Sequence, residues 1–284
     1  MIIGAGTASP NELFAAGELR NYLGNMSSGP VELVVGTMAE AAGPVIAVGY
    51  DAAVSLGVSA SELTGLKNDS YIISSTRTGV PSGSYDISGG KNSQRGTGFA
   101  VYDFLRELGC KFLAYDYTME EECANPPSSL PPIDRTYHPL YEYRDNNEWA
   151  AAEHPTWAGK LGYNGPSAHG QTGSVDEVAY AGGFVHTSYT LLGGAKNPGR
   201  GPPPDLFNKH REWFWPRNDS DVNTYGQLCW SNASLLDYLT QRARKVLQAA
   251  PDANIISISQ NDNYNYCQSE EEMKIINEEV RCGL

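Results

Sequence analysis

Short apolar runs alternate with helical periodicities along nearly the whole chain, and this alternation limits its fold more than any other feature. Alternating strand and helix signals of this kind point to an α/β layer architecture. Met1–Gly4 reads as a short apolar strand. Ser9 and Pro10 then open a helix, since proline suits a first turn. Leu13, Phe14, Ala16, Leu19, Tyr22 and Leu23 give that helix its apolar side. Val31–Val35 and Val45–Val48 read as strands. Tyr71–Ser74 and Tyr85–Ser88 read as a pair about the turn segment Gly79–Gly83. A helix from about Arg95 to Leu108 packs through Phe99, Tyr102, Phe104 and Leu105 and stops at Gly109. Lys111–Tyr115 is predicted as one more strand. Residues 1–118 are therefore expected to form a small α/β layer domain.

Residues 119–137 break the pattern. Pro126, Pro127, Pro131 and Pro132 fall there, and the span reads as a Pro-rich linker. From residue 138 the alternation resumes with longer, more polar loops. Strands are expected at Leu140–Arg144, Ala179–Val185, Gln227–Trp230 and Asn254–Ser259. Helices are expected near Pro155–Leu161, Pro204–Trp213, Leu235–Ala249 and Glu270–Val280. Four β-α units in order are half of an eight-fold barrel, so residues 138–284 are expected to form the first half of a TIM-type barrel. A half-barrel exposes strand edges and apolar surface. The reading accordingly expects a truncated barrel, part of a longer protein.

The net charge of -13 argues against nucleic acid as a partner, because phosphate binding calls for a basic surface. No apolar run approaches the ~20 residues a membrane helix needs, so no membrane insertion is expected. The first residues carry neither the basic segment nor the apolar core of a secretory signal. Five cysteines, Cys110, Cys123, Cys229, Cys267 and Cys282, leave at least one unpaired within the chain. None forms a CxxC pair, and neither a metal nor a cofactor is expected. Pairing and oligomeric state stay open.

The run from Asn254 to Asn263 carries the main functional reading. Ile255, Ile256 and Ile258 favour a strand, which ends in Gln260, Asn261, Asp262 and Asn263. Catalytic groups of α/β barrels sit at such strand ends. A carboxylate flanked by amides suits sugars: Asp262 can protonate a leaving group while Gln260, Asn261 and Asn263 hold hydroxyls. The alternative is an Asn/Asp turn that caps the next helix. Glycoside hydrolysis usually takes two carboxylates; Glu148 is a weaker second candidate, and the alternative is a partner beyond Leu284, on a later strand. Trp149 and Trp230 follow strand ends and suit the apolar face of a sugar ring, whereas Trp213 and Trp215 read as packing residues. His186, at another predicted strand end, suits a hydroxyl or a structural bond. Arg144 suits a bidentate clamp on a uronic acid carboxylate, or else a salt bridge across the barrel mouth. Gly4 and Gly6, between a strand and a helix, have the look of a dinucleotide loop. Pro10 delays that helix, however, and the second strand ends without an acid.

Phe184 to Tyr189, His210 to Phe214, Gln227 to Asn232 and Ser259 to Asn263, followed by Tyr266 and Cys267, together resemble a family of glycoside-hydrolase-like proteins. These carry an alpha-glucuronidase-type N-terminal domain ahead of a (β/α)8-type barrel. The first half is similar too. Glu12 to Leu23 resembles that domain's "E-x-x-AA-x-EL-x-x-YL" helix, Val45 to Gly49 its central strand, and Arg95 to Cys110 its "RGT-x-x-A-V-Y-x-FL-x-x-LG-C" helix. After Cys267 the family often has further cysteines, which this chain lacks in the run to Glu271. The resemblance implies a carbohydrate-active protein that acts on an oligosaccharide or polysaccharide, and it makes an extracellular or secretory setting the expectation. Two other readings stand beside it: a non-catalytic glycan-binding module, and a dinucleotide-binding protein acting through Gly4 and Gly6.

Overall fold

The structure, a computed structural model, describes residues 2–4, 6–27, 29–35, 43–75, 81–91, 94–116, 118, 122–146, 149–165, 178–193, 202–215 and 226–281. The chain is mixed α/β and divides into two compact units, Met1–Glu177 and Val178–Leu284.

The first unit is built on a six-stranded sheet with the order β2-β1-β3-β5-β4-β6. Its strands are β1 (Ile2–Gly4), β2 (Leu33–Val35), β3 (Ile46–Val48), β4 (Tyr71–Ser74), β5 (Tyr85–Gly89) and β6 (Asp134–Tyr137). β2, β1, β3 and β5 run parallel, while β4 pairs antiparallel with both β5 and β6. Side chains alternate across the sheet. Ile46, Val48, Tyr71, Ile73, Tyr85 and Ile87 join one core with α1 (Pro10–Met26) and α4 (Gln94–Glu107). Val45, Ala47 and Ile72 face the other way, into smaller clusters with α2 (Tyr50–Ser55) and α3 (Ala60–Thr64). Covering both faces is what allows β3 and β4 to be buried at every position.

The entry to α1 follows from its sequence. Ser9 Oγ accepts from Glu12 N at 3.3 Å, and Glu12 Oε2 accepts from Ser9 N at 2.8 Å, which closes a capping box. Glu12 Oε1 also accepts from Tyr50 N at 2.6 Å, so one carboxylate serves the first turns of α1 and α2. Gly109 ends the last turn of α4 at φ +92°, the conformation expected of a glycine there.

Two expected strands are not strands. Lys111–Tyr115 is tied into other contacts: Lys111 N donates to Glu122 O, Phe112 O accepts from Trp157 Nε1, and a Cys110–Cys123 disulfide closes the loop. Leu140–Arg144 has no ladder either. Arg144 N donates to Asn164 Oδ1, and Arg144 O accepts from Asn164 N and Gly165 N. Backbone groups spent in this way cannot pair with a neighbouring strand. Conversely, β6 lies within the span expected as a linker. Its sequence, Asp-Arg-Thr-Tyr, is polar and largely exposed, as suits an edge strand. Part of the turn segment expected at 79–83 lies outside the described residues.

The second unit has shorter strands. β7 (Tyr180–Ala181) pairs parallel with β10 (Ile255–Ile256), and β8 (Phe214–Trp215) pairs antiparallel with β9 (Gln227–Leu228). The strands expected at 179–185, 227–230 and 254–259 are thus present but cut to two residues each. Among the described residues the two pairs do not join into one sheet. The core gathers Tyr189, Leu191, Phe207, Trp213, Phe214 and Leu228 against Leu235 and Leu239 of a long helix, Ala233–Ala249. Asn232 caps that helix by accepting from Leu235 N at 3.1 Å. A last helix covers Glu270–Arg281, and a Cys229–Cys267 disulfide ties the end of β9 to the approach to it. Cys282 lies outside the described residues.

Candidate functional site

The chain segments leaving the parallel pair β7 and β10 are stitched together beyond the strand ends. Thr187 Oγ1 donates to Ser257 O at 2.7 Å and accepts from Ser259 N at 3.0 Å, and Ser188 N donates to Ser259 O at 2.9 Å. These bonds hold the start of the Gln260–Asn263 turn against the loop that carries His186. His186 has φ +54°, an uncommon conformation for a non-glycine residue, and its Nδ1 lies 3.2 Å from Gln260 O.

Gln227 organises the rest of the turn. Its Oε1 accepts from Asn261 N at 3.0 Å. Its Nε2 donates to Asn261 O at 2.6 Å and to Asn263 O and Oδ1, each at 3.1 Å. Asn261 is buried and fully engaged as well: its Oδ1 accepts from Ser188 Oγ at 3.0 Å and its Nδ2 donates to Gly226 O at 2.8 Å. Asn263 Oδ1 accepts a further bond, from Asn265 N at 2.9 Å. Both flanking residues are therefore held in place, while Asp262 between them is exposed. Among the described residues, no hydrogen bond or ion pair holds its carboxylate. Gln260 is also exposed.

The structure brings His186, Gln260, Asn261, Asp262 and Asn263 together in the second unit. Asn261 and Asn263 were expected to hold sugar hydroxyls, and their side chains instead hold the turn. Trp230 is half-buried and packs against the core of this unit. Trp213 is buried, with Nε1 donating to Ser234 Oγ at 2.7 Å, the packing role expected of it.

Arg144 and Trp149 belong to the first unit. Trp149 opens a short helix (Trp149–Glu153) and is 75% exposed. Arg144 joins a buried cluster around Asp69: Arg144 Nη2 donates to Asp69 Oδ2 at 2.9 Å, Asn164 Nδ2 donates to the same oxygen at 2.6 Å, and Arg95 pairs with Asp69 Oδ1. Arg144 thus forms a salt bridge within the first unit, with a partner other than one across a barrel mouth. Glu148 lies outside the described residues.

Gln227, the residue that fixes the turn, had no role in the sequence reading. A lone glutamine at a strand start has no spacing signature, and its partners lie some thirty-four positions away in the chain. The Gly4/Gly6 loop meets a different obstacle. The N-terminus of α1, where a pyrophosphate would dock, is already taken by the Glu12 carboxylate. Among the described residues no group of His, Cys, Asp or Glu side chains is placed to hold a metal ion.

No curated protein matches the chain. The family described as a domain of unknown function, DUF4838, matches residues 115–282, which is more than half of the chain. The chain therefore belongs to the DUF4838 family.

Proposed function

We propose that this is a carbohydrate-active protein of the O-glycoside hydrolase type, acting on uronic-acid-containing glycans, with Asp262 as general acid. One observation carries the reading: Gln227 clamps the backbone on both sides of Asp262 while the carboxylate itself stays exposed. A rigid turn that presents one unengaged acid is how a scaffold fixes a catalytic group. A general acid works best with a pKa near the working pH. Asp262 is exposed, and on this reading the bound sugar ring covers it. On this reading the second unit is part of a (β/α)8-type barrel. The parallel pairing of β7 and β10, with polar groups clustered just past their ends, supports that architecture.

A second reading, a glycan-binding module without turnover, draws on a different observation. Tyr264 is 97% exposed and Tyr266 49% exposed, immediately after the turn. Open aromatic faces suit sugar rings whether or not a bond is cut.

Release of reducing ends from uronic-acid-containing oligosaccharides by the whole protein tests the first reading. Asp262→Asn should lower turnover by about a hundredfold or more and leave glycan affinity nearly unchanged. Turnover that survives the substitution removes Asp262 from the mechanism. Binding without turnover in the wild type, lost in Tyr264→Ala, selects the second reading.

A further inference from the structure

We infer that the first unit contains a separate anion site, a cleft that takes a small carboxylate carried on a six-membered ring. The cleft has a volume of about 260 Å³ and lies between α4 and β6, with Tyr71, Phe99, Tyr102, Tyr137, Arg106 and Arg144 among the residues lining it. It shares no residue with the Asp262 turn.

The walls supply apolar faces. Tyr137 stacks on Tyr71 with ring centroids 5.0 Å apart, and Tyr137 is 42% exposed at the sheet edge. The Arg144 guanidinium lies over the Phe99 ring at 5.1 Å. The volume is below the range of drug-sized pockets, so the cleft has room for one ring and not for a chain.

The charges supply the polar end. Arg144 donates through Nε to Gly162 O, through Nη1 to Tyr141 O and through Nη2 to Asp69, which leaves a second hydrogen on both terminal nitrogens. Arg106 spends only Nη2, on Lys160 O. Among the described residues it has no carboxylate partner, and its Nε and Nη1 have no acceptor. Two carboxylates also line the cleft, and both are engaged. Asp69 is shared by Arg95, Arg144 and Asn164. Asp103 accepts from Arg135 Nη1 at 2.7 Å. The net unmet demand is therefore for an acceptor. Arg106 Nη2 shares one edge of the guanidinium with Nε and the other with Nη1, and its second hydrogen keeps one of these edges open to a bidentate carboxylate. A ring beside aromatic walls with a carboxylate on Arg106 meets both requirements. The carrier can be an acidic sugar or an aromatic acid.

Calorimetry on the whole protein separates the possibilities, with sodium glucuronate, sodium benzoate, sodium acetate and glucose as probes. Saturable binding of glucuronate or benzoate is expected, stronger than that of acetate or glucose, and whichever ring acid binds more tightly identifies the carrier. Arg106→Leu, at an exposed position, should weaken that binding about tenfold or more. Tyr137→Ala should weaken it without removing the preference for an anion. Tyr264→Ala, beside the Asp262 turn, should leave it unchanged, so this site and the proposed function of that turn stand or fall separately. The inference is overturned if neither ring acid saturates the protein, if acetate binds as tightly as both, or if Arg106→Leu binds like the wild type.

Discussion

At the scale of single residues, position does more than type. Glu12 appears in the sequence as one acidic residue in a first helical turn, but its carboxylate bonds to the backbone of two helices. Gly49 makes this possible. It sits at φ +94° and ψ 169°, a region that is essentially glycine-only. An added Cβ would lie 2.7 Å from Glu12 Oε1. Gly49→Ala should therefore destabilise the first unit by about 1–3 kcal/mol through strain alone, with the displaced carboxylate adding to the loss. Urea denaturation checks this, and a variant as stable as wild type would show that the carboxylate moves at no cost. The candidate site follows the same logic. The acid and amides at 260–263 were visible in sequence because they are clustered. Their division of labour was not, because it depends on Gln227 and Ser188, distant in sequence and close in space. Arg144 was likewise visible as a cation, but its tie to Asp69 was not.

At the scale of elements, legibility tracks burial. The helices at 10–26, 94–107 and 233–249 and the buried strands β3, β4 and β5 lie where periodicity puts them, because core burial imposes the pattern. Elements set by something other than burial were missed or misjudged. β6 is polar and at an edge, and the residues of Lys111–Tyr115 and Leu140–Arg144 spend backbone groups on loops and side chains. The two-residue strands of the second unit carry too little pattern to fix their length. Such short strands need other ties, and the Cys229–Cys267 disulfide is one, closing a sequence separation of 38. By loop-closure entropy, a bridge of that span stabilises by about 4 kcal/mol. Replacing both cysteines by serine should lower the stability of the second unit by an amount of that order. It should also speed amide exchange in the 270–281 helix more than in the 233–249 helix, which has its own buried face. Hydrogen exchange resolved by segment is the check, and equal acceleration in the two helices would count against a local role for the bridge.

At the scale of the whole molecule, two compact units with separate cores respond differently to alkali. Among the described residues of the first unit four tyrosines have raised pKa values. Tyr22, Tyr71 and Tyr102 are raised mainly by burial, with Glu122, Asp103 and Glu18 respectively adding to it, and Tyr85 is raised by burial. Among the described residues of the second unit one tyrosine, Tyr189, is raised, again by burial. The ordinary tyrosine value is 10.0, so in the unfolded chain these groups ionise first as the pH climbs. Above that value the unfolded state holds fewer protons than the folded state, and stability falls as pH rises. The contribution of each tyrosine is fully present below about pH 10 and is lost as the pH climbs toward its folded value, at about 1.4 kcal/mol per pH unit. The net charge of -13 grows more negative over the same range and adds self-repulsion to both units. With four such groups against one, the first unit should unfold at lower pH and over a narrower range than the second. Pulse proteolysis at stepped alkaline pH, with fragments identified by mass, reads the two units separately. Cleavage should appear first within residues 1–177 and coincide with the rise in tyrosinate absorbance. Cleavage that starts within residues 178–284, or in both units at the same pH, would mean that buried tyrosines do not set the alkaline limit of this protein.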